Sequence, residues 1–159
     1  DDVAGRPLFA AHAALPWPTE PHLVLWHAQT LLREYRGDAH VAALLLAGLS
    51  GIEALITHAA SGAVGADTLR KTRSWSEDEW QAATDSLRAR DWLTDAPEPT
   101  FTESGQTRRA EVERATDENS TAPYIHLGEE ACVEVQALVK PLSRALVEEL
   151  MPWMLRKPS

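Results

Sequence analysis

The stretch SEDEWQAATDSLRARDWLTDAPEPTFTESGQ, residues 76–106, decides how this chain folds. Ser76 stands three positions before Glu79, the capping-box spacing in which a hydroxyl and a carboxylate satisfy each other's orphan backbone N–H groups. Trp80, Ala83, Leu87 and Arg90 then follow the helical period, so a helix is expected to start at 76. Beyond Asp91, two short extended pieces, WLT and TFT, flank the Pro-rich turn DAPEP, and two strands with so tight a connection make a small wing. Thr102 or Ser104 then caps a further helix of about fifteen residues.

Upstream of this stretch, GIEALITHAAS reads as a helix stopped by Ser61-Gly62, and GADTLRKTR as a short segment before Ser76. The order is helix, helix, helix, hairpin, helix. Earlier still, Pro16, Pro18 and Pro21 interrupt the first segment, which should be a loop or short turn. Thr19 is a natural N-cap, and the apolar stripe from Leu23 to Tyr35 predicts a helix over roughly 20–36. Gly37 sits where a left-handed residue ends a helix and Asp38 where the next N-cap belongs, so a second helix is expected from Ala39. Ser50-Gly51 is a weak point after it, and two consecutive helices or one broken one fit equally. The last helix, LGEEACVEVQALVKPLSRALVEELMPWML, contains Pro141, which is expected to kink or split it.

Composition bounds the function. The 159 residues carry 24 acidic and 15 basic side chains, a net charge of −9, and phosphate binding needs a positive field. The chain as a whole is therefore no electrostatic sponge for nucleic acid or anionic membrane. No run of about 18 uncharged apolar residues occurs, and DDVAGRPLFAAH lacks the basic and apolar regions of a signal peptide. Cys132 stands alone, which excludes an intrachain disulfide and a cysteine-based zinc site. A soluble, cytoplasmic protein with no membrane partner is the expectation. Six tryptophans against two Phe and two Tyr is an unusual aromatic balance that a function should explain.

The run from LSGIEALITHAAS to LTDAPEPTFTESGQTRRAEVE, above all SLRARDWL followed by TFTESGQ, resembles the winged helix-turn-helix core of MarR-type regulators. GRPLFAAHAALPWP, LWHAQTLLREYRGDAHVAAL, RSWSEDEW, the TESG turn and EVERATD together resemble an actinobacterial family of MarR-like helix-turn-helix proteins. Asp91 stands where both groups commonly carry glycine. The resemblance implies a mainly helical winged-helix fold with a two-stranded wing. Its layout would be a linker or arm at 1–19, a helical hairpin at 20–50, the winged helix-turn-helix at 51–120 and C-terminal helices at 121–159. It also implies a helical domain preceding residue 1, a homodimer through the terminal helices, and an effector held between the helices flanking the winged helix.

Two sets of residues follow. For a small organic ligand, a tryptophan-lined pocket with a few polar groups is the expectation, built from Trp26, His27, Arg33, Glu34, Arg36 and His40 with Trp75 and Trp80 as walls. For duplex DNA, the candidates are Arg70, Lys71, Arg73, Gln81, Arg88, Arg108 and Arg109, since such side chains donate to bases and phosphates. Against DNA stands the acidic start of the third helix, SEDEWQ, and a balance over 64–110 of seven Lys/Arg to nine Asp/Glu. The alternative is a winged helix that no longer reads DNA and serves as a ligand-binding protein or a natural-product enzyme. No catalytic residue is assigned, because neither G-x-S-x-G nor a glycine-rich phosphate loop occurs. No metal ligand or cofactor is assigned either. His22, His27, Glu34, Asp38 and His40 lie close in sequence, but His27 and Glu34 would be about 10 Å apart along a helix axis.

Overall fold

A computed structural model of the chain describes residues 3–150, which fall into two compact units divided between Ser120 and Thr121. In the first unit, α1 (Pro7–Ala13) packs on α2 (Pro21–Leu46), followed by α3 (Gly51–Ala60), α4 (Ala66–Thr72), α5 (Glu77–Ala89) and α6 (Glu103–Glu118). In the second, α7 (Ala122–Leu127) packs on α8 (Glu129–Leu150). The fold is mainly helical, as the sequence predicts. No single helix among the described residues is long and apolar enough to cross a membrane.

The first correction concerns Gly37 and Asp38, which neither stop nor start a helix. Both lie inside one 26-residue helix. Tyr35, Ala39 and Ala43 are buried at spacings of four, so burial of one continuous face outweighs the local turn chemistry. The true stop comes at Gly48, whose φ is +67°. There the N–H of Gly48 bonds Leu45 O at 3.1 Å and that of Leu49 bonds Leu44 O at 2.9 Å, the paired closure of a Schellman motif. Asp38 does act as a cap, but across space: buried at 5% exposure, it accepts the N–H groups of Leu8 and Phe9 in the first turn of α1. Arg6 supplements it by donating to Tyr35 O at 2.6 Å while lying 3.6 Å over the Tyr35 ring. The segment expected as a loop thus contains a docked helix, and its prolines 16 and 18 fall in the connection to α2.

The second correction is the wing. Between Trp92 and Thr102 the described chain forms one isolated antiparallel bridge, Leu93 with Phe101, and no strand. Pro97 and Pro99 cannot donate to a ladder, which limits pairing to Thr94 N to Thr100 O (2.9 Å) and Thr102 N to Trp92 O (3.1 Å). Arg88 holds the tip instead, donating to the carbonyls of Thr94 and Ala96 at 3.1 and 2.7 Å. Asp91 takes the left-handed conformation, φ +59°, so the turn that glycine commonly makes is kept by a residue type that tolerates it. Pro141 lies inside α8 and does not split it.

The core that positions the helices is Leu49, Ile56, Leu87, Trp92 and Leu93, with Trp80 and Phe101 packed against it. Gly105 is required where α6 begins: a Cβ there would lie 1.9 Å from the Trp92 carbonyl oxygen. The capping boxes Ser50–Glu53 and Ser76–Glu79 both form. Glu53 does more than cap. Its second oxygen accepts Ser86 Oγ at 2.9 Å and the Arg90 guanidinium, locking α3 to the end of α5. Burial pushes the Glu53 carboxyl up. The Ser50 N–H and hydroxyl, then Ser86 and Arg90, outweigh that and hold it below the usual glutamate range.

Candidate functional site

α5 follows α3 and α4 along the chain, and each cation expected around it to meet DNA has a definite environment. Arg70 is drawn to Asp67 (3.4 Å) and Glu77 (3.8 Å), and Lys71 makes a loose 3.9 Å pair with Asp67. Gln81 donates to Asp85 at 2.9 Å. Arg88 is committed to the wing carbonyls and to Asp85. Arg108 stacks 4.7 Å from the Trp92 ring centre and donates to the carbonyls of Arg90 and Asp91. Arg109 points inward, with its side chain 13% exposed and paired to Glu113. Lys71 and Arg73 are left as the exposed cations of the set. At the start of α5, Glu77, Asp78 and Glu79 are all exposed, and Ser76 holds the Glu79 carboxyl below its usual range by hydrogen bonding.

The expected tryptophan pocket does not assemble. Trp26 is 72% exposed beside Gln29, Thr30 and Arg33, while Trp80 belongs to the core edge and Trp75 to the turn between α4 and α5. Trp26 and His40 lie about 21 Å apart along one straight helix. His27 is buried beneath Trp17, ring centres 4.8 Å apart. Glu34 is buried and bridged by its exposed neighbour Arg33 at 2.5 Å. Arg36 and His40 instead turn to α6. Arg36 pairs with Glu113 (3.2 Å) and Asp117 (3.1 Å). His40 Nδ1 lies 2.9 Å from Thr116 Oγ1. That hydroxyl spends its one proton on Val112 O at 2.7 Å, so it accepts from His40, and the proton of the neutral ring sits on Nδ1.

These contacts border an open cleft of about 620 Å³ between the end of α3, the wing and α6. His58, Phe101, Gln106, Arg109 and Glu113 line it, with alanines 60 and 110 between them. The Arg109 guanidinium is its most unusual group. Nη2 meets Glu113 at 2.5 Å, while Nε and Nη1 are buried without an acceptor among the described residues. Behind it, burial lowers the proton affinity of His40; Glu113 opposes this, and Arg109, Arg36 and His58 add to it. Among the described residues no group of three or more His, Cys, Asp or Glu could hold a metal ion.

Of the cleft residues, the sequence pointed to Arg109, for DNA, and to His40 and Arg36 as its neighbours on α2. It missed His58, Phe101, Gln106 and Glu113. The spacing of Gln106, Arg109, Ala110 and Glu113 puts them on one helix face and is legible; which helix end would face them is not.

Residues 1–152 match the model of a helix-turn-helix family. Comparisons with curated proteins and with solved structures give no match.

Proposed function

The chain belongs to a helix-turn-helix family, and from that premise we propose that it is a MarR-like, regulator-type helix-turn-helix protein that binds a small organic ligand and makes only weak electrostatic contact with duplex DNA. The ligand site is the α3–α6 cleft rather than the surroundings of Trp26, Trp75 and Trp80. The observation that carries this reading is Arg109: a cation expected on a DNA surface is largely buried, paired to Glu113, and lines a cavity of ligand size. A homodimer through α8 belongs to the same proposal, since Val133, Leu138, Leu142 and Leu146 are exposed there.

A second reading, a winged-helix scaffold that has given up DNA, is favoured by Glu77, Asp78 and Glu79 at the start of α5. Duplex binding measured over a salt series separates the two. With Lys71 and Arg73 as the exposed cations, log K against log salt should have a slope of about −2, at ~0.9 per neutralised phosphate. No binding at the lowest salt supports the scaffold. A slope of about −6 or steeper would contradict both by revealing a positive surface that these ion pairs do not leave.

A further inference from the structure

We infer that His40 is a proton switch for the junction of α2, α3 and α6: a proton taken up on its Nε2 draws Glu113 away from Arg109 and releases the Arg109 side chain. The inference concerns the ion pairs of this junction and holds with or without a ligand in the cleft.

The resting arrangement leaves one place for that proton. Nδ1 already carries a hydrogen, directed at Thr116 Oγ1 at 2.9 Å, and the fully buried Thr116 hydroxyl is fixed in turn by its bond to Val112 O. The second proton therefore goes to Nε2. Charged and titratable groups face the ring from each element at the junction: Arg36 from α2, His58 from α3, and Glu113 and Arg109 from α6. Asp117, one turn beyond Glu113 on α6, completes the set through its pair with Arg36. With both histidines neutral, two arginines are balanced by two carboxylates. One more proton leaves the set with a net positive charge.

The pattern of pairing decides which contact yields. Arg36 reaches Glu113 at 3.2 Å and Asp117 at 3.1 Å, so it keeps a carboxylate when Glu113 turns to the imidazolium. Among the described residues Arg109 has Glu113 alone, and its Nε and Nη1 are buried without an acceptor. A guanidinium that loses its one carboxylate inside the protein becomes an unpaired buried charge. Arg109, with its side chain 13% exposed, then gains by moving out to water. Glu113 lies one turn before Thr116 on α6, on the face that receives His40, so a charge on the ring acts on it at short range. Burial makes the charged ring unfavourable, with Glu113 opposing this and Arg109, Arg36 and His58 adding to it. By linkage, an arrangement that penalises the proton is one that the proton destabilises, so the switch works on the acid side of the ordinary histidine value of about 6.5.

The test is an NMR titration of the whole chain from about pH 8 to about pH 5, following the rings of His40 and His58. Alongside them, solvent exchange of the Arg109 Nε–H is measured relative to that of the exposed Arg73 in the same sample, which cancels the intrinsic pH dependence of exchange. The ratio should rise at least about tenfold, as expected for the loss of a charged hydrogen bond, with the midpoint of His40. In His40→Gln, whose amide can still donate to Thr116 but does not titrate, the ratio should stay flat. In His58→Gln it should rise as in the unaltered chain. A ratio that stays flat through the His40 midpoint in the unaltered chain overturns the inference, as does a rise that survives His40→Gln or is lost in His58→Gln. Should His40→Gln fail to fold, the ring midpoints and His58→Gln still decide.

Discussion

The carboxylate of Asp38, midway along α2, accepts the backbone N–H of Phe9 at 2.9 Å and that of Leu8 at 3.4 Å. A helix interior therefore caps the start of another helix 29 residues earlier in sequence. Asp38→Ala strips the α1 start of the acceptor that the buried Asp38 supplies and should cost about 1–3 kcal/mol, read from urea unfolding. Amide exchange at Leu8 and Phe9 should rise more than at α6. Asp38→Asn, which keeps one acceptor oxygen, should cost less. Equal exchange at both helices in Asp38→Ala would remove Asp38 from this role.

The continuity of α2 makes Gly37→Ala informative. In a helix interior, alanine is favoured over glycine by roughly 0.5–1 kcal/mol, and a Cβ at Gly37 would meet Glu34 at an ordinary 3.6 Å. The substitution should stabilise the protein by about that amount. Were Gly37 a left-handed helix stop, the same change would destabilise it, so the sign of the shift in urea midpoint decides.

That residue also marks how far the sequence could be read. Ser76 and Thr102 were legible as caps because capping is settled within four residues, and both cap; Ser50, read only as a weak point between helices, caps α3 as well. Gly37-Asp38 carries the same local chemistry and misleads, because Tyr35, Ala39, Ala43 and the distant first turn of α1 decide there. The wing was overread for the opposite reason: WLT and TFT have strand character, but prolines 97 and 99 leave a single bridge. The site was least legible. Charge type is visible in a sequence, whereas commitment is not, and Arg88, Arg108 and Arg109 are each spent on partners between 3 and 18 residues away. Side-chain type alone named these arginines as DNA candidates, while the charge balance already stood against DNA; their partners hold the wing segment, the α5 end and the wall of a cleft.

Glu53 predicts a pH dependence in the acid range. Its carboxyl titrates lower in the folded chain than when unfolded, so the unfolded state binds more protons as pH falls through the ordinary glutamate range. Stability from this group is full above about pH 5 and is lost as pH drops through the folded value. Glu53→Gln should flatten that part of the stability profile. It should also cost about 1–3 kcal/mol at neutral pH, because Arg90 and Ser86 lose their shared acceptor. An unchanged acid limb would show that Glu53 is not the group responsible.

His40 predicts a second window at higher pH. Its ring is harder to protonate in the fold than in the unfolded chain, so the unfolded state again takes up the extra proton, beginning near the ordinary histidine value of about 6.5. Stability should decline as pH falls below that point and level off beneath the folded value. His40→Gln should remove this limb and leave the one at Glu53. By NMR, His40 should titrate below the ordinary histidine value of about 6.5, with the proton of the neutral ring on Nδ1. A His40 titration at or above that value would contradict the buried, Thr116-bonded ring.

The central claim is that this helix-turn-helix protein holds a small organic ligand between α3 and α6. Its most direct test is to map a library of fragment-sized organic compounds, both acids and neutral compounds, onto the assigned amide spectrum of the intact chain. Binders should shift residues around His58, Phe101, Gln106 and Arg109 and leave Trp26 and its neighbours unmoved. Binders that gather at Trp26, Trp75 or Trp80, or a library that moves no residue of the cleft, would contradict it.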